Sequence, residues 1–222
     1  MIPLKDSPRT RVFPYVNTFF ILLNIFIFIR QLALTNEQLA IFISNYGLIP
    51  LRYSTSIMNK NLLAAVTPLI SYQFLHASWL HIGSNMLYLW VFGDNIEDRI
   101  GHVKYFFFYL LMGTLAGLLQ VYLDPTSRIP IIGASGAVAG VLGAYLISCP
   151  HARVLAIIPM FILLTVTEVP AVIFLGFWFF LQLFSGFTSL GVEVAIAWWA
   201  HIGGFVAGIA LINFFGKRHK CE

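Results

Sequence analysis

Long runs of apolar residues, separated by short polar segments, make up most of this chain. Because a helix that crosses the roughly 30 Å hydrocarbon core of a bilayer needs about 20 mainly apolar residues, each long run predicts a membrane-spanning helix. The runs place six such helices at residues 14–34, 79–96, 104–123, 133–148, 169–187 and 194–215. We therefore expect an all-α, polytopic membrane protein, a six-transmembrane-helix bundle with both termini on one side.

Two further apolar segments do not fit a simple crossing. The connection 35–78 is much the longest, and its apolar residues with few charges are typical of a chain lying in the membrane interface. These residues include Leu62, Leu63, Val66, Leu69, Ile70, Phe74 and Trp79. The segment Val154–Val166 is short, contains Pro159 and is followed by Glu168 and Pro170, so we interpret it as an interfacial or partly embedded loop.

Composition supports the membrane assignment. The 222 residues are 59% hydrophobic and 10% charged, against roughly 45–50% and about 25% in ordinary soluble domains. Little sequence remains for a soluble domain, so we expect one integral membrane domain over residues 1–222, with short tails at 1–12 and 216–222. Because there are only two cysteines, Cys149 and Cys221, we do not expect a disulfide framework.

The distribution of lysine and arginine predicts the orientation. Nine lie on the side of the N-terminus: Lys5, Arg9, Arg11, Arg99, Lys104, Arg153, Lys217, Arg218 and Lys220. Four lie on the other side: Arg30, Arg52, Lys60 and Arg128. Since positive charge accumulates in cytoplasmic loops, we expect cytoplasmic termini in a multi-pass protein of the plasma (inner) membrane. This bias accounts for the net charge of +4 without a nucleic-acid partner.

Small residues recur at four-residue spacing in three of the predicted helices. They are Gly113 and Gly117 in the third, Gly136 and Gly140 in the fourth, and Ala200, Gly204 and Gly208 in the sixth. Such spacing lets helix backbones approach closely in a membrane. One interpretation of the segment Ile131–Gly140 is therefore a packing face whose serine bonds a neighbouring carbonyl.

Polar side chains inside the spans suggest a second interpretation, because each is costly in hydrocarbon unless it has a partner or a function. His81 and Asn85 lie one turn apart on the second helix, and His76 precedes it. Ser135 lies near the outer end of the fourth helix and His201 in the sixth. The same residues could also be hydrogen-bonding groups that hold the bundle together.

Depth distinguishes these interpretations. Ser135 and His201 lie 15 and 16 residues before the inner ends of their helices, which places both about 22 to 24 Å above those ends. Both therefore lie roughly 6 to 8 Å below the outer boundary of the core, within reach of water. The same measure places His81 at about 20 Å and Asn85 at about 14 Å.

A serine and a histidine at one depth are the nucleophile and general base of acyl transfer. Asn85, His81 and the backbone N–H of Ser135 could donate to the oxyanion. We found no carboxylate at that level, so the expected site is a Ser–His dyad without an orienting acid. We expect no metal and no cofactor: a His-Glu-x-x-His motif and paired intramembrane aspartates are missing, and the inner half of the spans is too apolar for a transport pathway.

These motifs together resemble the rhomboid family of intramembrane serine proteases, from about Phe74 to the end of the sixth span. The matching stretches are "FLHASWLHIGSN", "FGDNIED", "GASGAVAG" and "AWWAHIGGFVAG". The resemblance implies a rhomboid-like bundle that hydrolyses peptide bonds in or near transmembrane segments. It makes Ser135 the nucleophile and His201 the base, and it assigns oxyanion binding or support to Asn85, His81, His76, Gly133 and Gly136.

The implied partners are transmembrane protein substrates and the lipid bilayer, with no prediction for the oligomeric state. An inactive rhomboid-like protein that binds transmembrane helices is the alternative. Two family features are missing: the first outer loop has no Trp-Arg pair, and Ala139 stands where some members carry a tyrosine one turn after the serine. Aromatic stacking on His201 must therefore come from elsewhere or be absent.

Overall fold

The computed structural model describes residues 1–160, 163–189, 196–216 and 221. The described part contains the helices α1 (Tyr15–Leu32), α2 (Asn36–Tyr46), α3 (Pro50–Met58), α4 (Leu62–Ser71), α5 (Trp79–Ile100), α6 (His102–Leu123), α7 (Ser135–Ser148), α8 (Ala171–Thr188) and α9 (Trp198–Leu211). Short 3-10 turns follow α4 and α9, at Tyr72–Phe74 and Ile212–Phe215. The strands are β1 (Ile2–Asp6), β2 (Arg153–Met160) and β3 (Leu163–Pro170).

The protein is a multi-pass membrane protein with a mainly helical fold, as predicted. Among the described residues, four helices are long and apolar enough to cross a membrane: α1, α6, α8 and α9 with its following turn. The other two predicted spans are also helices. Helix α7 has only 14 residues, and α5 has 22 but ends in the charged segment "GDNIEDRI". The predicted start of the last span, residue 194, lies outside the described residues, as do 217–220 and 222 of the basic tail.

Helix α7 lies at the centre of the bundle, packed against α5, α6 and α9. Its sequence, SGAVAGVLGAYLIS, keeps side-chain bulk low along most of its length, and most of its residues are buried. Neighbours occupy the space beside its glycines: a Cβ at Gly140 would collide with Met112, and one at Gly143 with the backbone of Phe205. The catalytic candidates therefore rest on helices whose backbones are in close contact.

The long connection 35–78 is largely helical, and its helix α4 is amphipathic, as an interfacial segment would be. Helix α4 buries Ala65 and Leu69 against the bundle. Its other face leaves four large apolar side chains exposed, Leu62, Leu63, Val66 and Ile70. A helix with an apolar exposed face of this kind is stable where that face meets lipid.

A small antiparallel sheet, in the strand order β1-β2-β3, was not predicted. It contains residues 154–160 in β2 and 163–166 in β3, so our interpretation of these residues as a loop was wrong; residues 161 and 162 lie outside the described part. In β2, Val154 and Ala156 are fully buried and alternate with more exposed neighbours, which is the period of a strand with one face on the core. Residues 2–6 of the predicted N-terminal tail supply the partner strand, with Asp6 opposite Val154.

Asp6 attaches this sheet to the end of the bundle at which the termini lie. Its carboxylate is 9% exposed and accepts hydrogen bonds from the Tyr145 hydroxyl at 2.6 Å and from Asn95 Nδ2 at 2.8 Å. Burial raises the pKa of the Asp6 carboxyl to about 6. Nearby, Cys149 at the end of α7 is disulfide-bonded to Cys221, a pairing that we did not predict.

Candidate active site

A cavity of about 1020 Å³ opens at the end of the bundle opposite to the sheet. Its walls come from α5, α6, α7, α8, α9 and the connections beside them. Four of the predicted site side chains line it: His81, Asn85, Ser135 and His201, together with the backbone at Gly133 and Gly136. The volume is that of a ligand-binding pocket.

Ser135 is the first residue of α7, directly after a tight turn at Gly133. Gly133 has a φ of +124°, which residues with a side chain rarely adopt. A Cβ there would also collide with the imidazole of His81. The turn is held by a hydrogen bond from the Gly133 N–H to the Tyr72 carbonyl at 2.9 Å. Ser135 therefore lies at a helix N-terminus, where backbone N–H groups have no partner within the helix and favour negative charge.

The Ser135 hydroxyl and the His201 imidazole are in direct contact. Ser135 Oγ lies 2.8 Å from His201 Nε2, although the two residues are 66 positions apart in sequence. His201 lies in the first turn of α9, one turn from Gly204. A Cβ at Gly204 would collide with the Gly136 carbonyl oxygen, so the glycine allows α9 to approach α7 closely. The resulting backbone contact brings the two side chains together.

Gln182 of α8 is a member of the site that the sequence analysis missed. Its Oε1 lies 2.8 Å from His201 Nδ1, the ring nitrogen that faces away from Ser135. The side chain is only 7% exposed. The orienting group expected of a serine hydrolase is a carboxylate, whereas the group in this position is an amide. The sequence does contain a signal for this residue, because Gln182 is the only polar residue between positions 171 and 184. A polar side chain inside a span is costly unless it has a partner or a function.

Two tryptophan rings lie beside His201. The ring centroid of Trp178 is 6.3 Å from that of the imidazole and tilted by 34°, whereas the ring of Trp198 meets the imidazole edge-on at 5.9 Å. Ala139, at the position where some family members carry a tyrosine, is fully buried. Aromatic contact with His201 thus comes from α8 and α9.

Asn85 and His81 lie one turn apart on α5. Asn85 is 7% exposed, and its Nδ2 finds no hydrogen-bond acceptor among the described residues. An amide donor that is buried at the wall of a cavity and has no partner is costly, so this group is available to a ligand oxygen. His81 Nδ1 accepts a long hydrogen bond of 3.4 Å from the Ala77 N–H, and the ring lies against Gly133.

His76 lies behind this layer and does not line the cavity. It is 2% exposed, and its ring meets that of His81 with the centroids 5.0 Å apart. The Gln31 side chain accepts from its backbone N–H and donates to its carbonyl. Burial, with a smaller contribution from His81, lowers the pKa of the His76 imidazole to about 3. The His76 imidazole therefore packs against His81 in its neutral form.

Comparison with known proteins identifies the family of this chain. A family model described as the Rhomboid domain matches residues 64–218. Rhomboid protein 1, mitochondrial, of Saccharomyces cerevisiae is 29% identical over 162 residues, which cover 69% of this chain and 43% of that protein. Rhomboid-like protease 3 of Toxoplasma gondii is 27% identical over 168 residues, covering 75% and 56%.

The human presenilin-associated rhomboid-like protein, mitochondrial, is 29% identical over 173 residues, covering 74% of this chain and 41% of that protein. The matches span about half the length of these relatives. The family model covers more than half of this chain and includes all the predicted site residues. The resemblance seen in the motifs is thus confirmed, and the chain belongs to the rhomboid family.

Proposed function

We propose that this protein is an intramembrane serine endopeptidase with a Ser–His dyad. Ser135 Oγ attacks a peptide carbonyl while His201 Nε2 takes its proton and then delivers it to the leaving amine. Water then attacks the carbonyl of the acyl-enzyme while His201 Nε2 takes its proton, and the imidazolium delivers that proton to Ser135 Oγ as the ester bond breaks and the new carboxyl terminus leaves. The contact of 2.8 Å between Ser135 Oγ and His201 Nε2 carries this proposal, because a histidine nitrogen lies within hydrogen-bond distance of a serine hydroxyl at the wall of a cavity.

Oxyanion stabilisation is assigned to groups around the same hydroxyl. The Asn85 amide is buried beside the cavity without a partner among the described residues. The Ser135 N–H belongs to the first turn of α7, and the imidazole of His81 lies against Gly133. Preorganised donors of this kind stabilise the tetrahedral intermediate most strongly where water is excluded.

The substrates proposed are transmembrane proteins cut in or near a membrane-spanning segment. The site opens at one end of a bundle whose α8 exposes several large apolar side chains, including Phe177, Phe180 and Phe184, so a substrate helix can reach it from lipid. One relative is named a rhomboid-like protease. We further propose a single integral domain with six crossings and both termini on the cytoplasmic side, in accord with the bias of lysine and arginine.

Cleavage by the purified protein tests the proposal. In liposomes that contain a single-span model substrate, the Ser135→Ala and His201→Ala proteins should show no cleavage and the unaltered protein should cut. Ser148→Ala is the matched control, because this hydroxyl lies at the other end of α7 and donates to the Ala144 carbonyl. Cleavage by the Ser135→Ala protein would refute the mechanism.

Covalent labelling separates the enzyme from a rhomboid-like protein that only binds helices. A fluorophosphonate should modify Ser135 in the unaltered protein and leave the Ser135→Ala protein unlabelled. A folded protein that binds the model substrate but neither labels nor cleaves would be such a binding protein.

A further inference from the structure

We infer that Gln182 is a positioning residue that sets the tautomer and the orientation of His201, an inference that rests on the proposed function. The amide oxygen of Gln182 lies 2.8 Å from Nδ1 of the imidazole, whose Nε2 lies 2.8 Å from Ser135 Oγ. The three side chains form a continuous chain of hydrogen bonds across α8, α9 and α7.

The direction of these bonds follows from the second contact of Gln182. Its Nε2 donates to the Trp178 carbonyl at 3.3 Å, and a carbonyl can only accept. The Oε1 atom must therefore be the one that faces His201, and an amide oxygen also only accepts. Nδ1 consequently carries the imidazole proton, which leaves the lone pair of Nε2 facing the Ser135 hydroxyl. This is the tautomer that a general base requires.

Burial strengthens the hydrogen bond between His201 and Gln182. Gln182 is only 7% exposed, so water competes weakly for its amide oxygen. A carboxylate at this depth would be costly to desolvate, whereas a neutral amide orients the ring at a lower cost. The amide lacks the charge with which an aspartate stabilises the imidazolium. Gln182 thus supplies orientation without charge.

Gln182→Met and Gln182→Glu test the inference in the full-length protein. Methionine has a similar length, but its thioether sulfur is only a weak hydrogen-bond acceptor for His201 Nδ1. The kcat should therefore fall about 10- to 100-fold with little change in KM. The rate of fluorophosphonate labelling of Ser135 should fall in parallel, because it reports the reactivity of the hydroxyl without substrate binding. Glutamate retains an acceptor and should restore most of the activity.

The pH profile separates positioning from a merely structural role. A carboxylate at position 182 stabilises protonated His201, so the acidic limb of kcat/KM for Gln182→Glu should move to higher pH by about one unit. Thr188→Val is the control on α8, since among the described residues this exposed hydroxyl bonds to carbonyls of its own helix. Its kcat and its pH profile should be unchanged.

Wild-type kcat and labelling rate in Gln182→Met would overturn the inference, as would an unshifted acidic limb in Gln182→Glu. Both results would leave the proposed function intact, provided that cleavage still requires Ser135. Cleavage by Ser135→Ala would instead refute the proposed function itself. Thermal unfolding midpoints of all variants, measured in the same detergent, distinguish lost catalysis from lost fold.

Discussion

Gly204 of α9 lies directly against the carbonyl oxygen of Gly136 in α7. One turn further along, Gly208 lies in the same way against the carbonyl of Gly140. Each glycine occupies a site where a Cβ would overlap backbone that cannot move aside. These contacts fix the spacing and the register of the two helices, and so they fix the distance between Ser135 and His201.

Alanine at Gly208 should separate α7 from α9. Because the obstructing atom is a backbone oxygen, the helices must shift, and we expect at least about a 10-fold loss of kcat together with a lower thermal unfolding midpoint. Cleavage assays and unfolding of the purified protein measure both effects. Gly176→Ala is the matched control, since no atom of the described residues lies within 4 Å of a Cβ there. Equal behaviour of the two variants would show that the close approach is dispensable.

Replacement of Asn85 by alanine should remove an oxyanion donor. Removal of one such donor typically costs about 10²- to 10³-fold in kcat, and we expect KM to change little because the interaction forms in the transition state. Steady-state kinetics on the model substrate check this. Gly83→Ala on the same helix should retain activity, since the space beside it is open. A kcat for Asn85→Ala close to wild type would exclude the amide from the oxyanion site.

The buried carboxyl of Asp6 should make stability depend on pH. Burial raises its pKa from 3.8 to about 6 in the folded protein, so the folded state binds a proton more tightly than the unfolded state does. This tighter proton binding stabilises the folded state, and the stabilisation is fully present below pH 3.8 and is lost as pH rises through about 6. We expect the thermal unfolding midpoint to decrease by a few degrees between these values.

The Asp6→Asn protein isolates this contribution. The introduced amide does not titrate, so the difference in midpoint between the unaltered and the substituted protein should change across the same pH interval and level off above it. Tyr145→Phe should lower the unfolding midpoint more above about pH 6 than below it, because above that pH the Tyr145 hydroxyl donates to a charged Asp6 carboxylate. A difference in midpoint between the unaltered protein and Asp6→Asn that does not vary with pH would contradict the raised pKa.

The motifs anticipated much of the site, because they lie in short stretches of chain. His81 and Asn85 share a helix face by their spacing, and Ser135 and His201 could be placed at one depth by counting residues. The contact between Gln182 and His201 escaped this reasoning, since depth does not show which side chains of α8 face α9. The amide itself was visible as a lone polar residue in an apolar run.

The cytoplasmic end that we propose was the least predictable part. A strand needs a partner for its backbone hydrogen bonds, and the partner of β2 is the N-terminal strand, whose Asp6 contacts Tyr145 across 139 positions of sequence. Nothing in the local pattern of either segment specifies that pairing.

The lengths of apolar runs, the spacing of small residues and the sparse polar groups are local properties of the chain, and they were enough to predict a helical membrane bundle, while the short motifs around the polar groups carried the resemblance to the rhomboid family. The sheet, the aromatic rings around His201 and the hydrogen bond from His201 Nδ1 to Gln182 Oε1 join segments that are distant in sequence. Their formation depends on how whole helices pack and rotate against one another, because each contact is stabilised by the sum of many small interactions across the bundle.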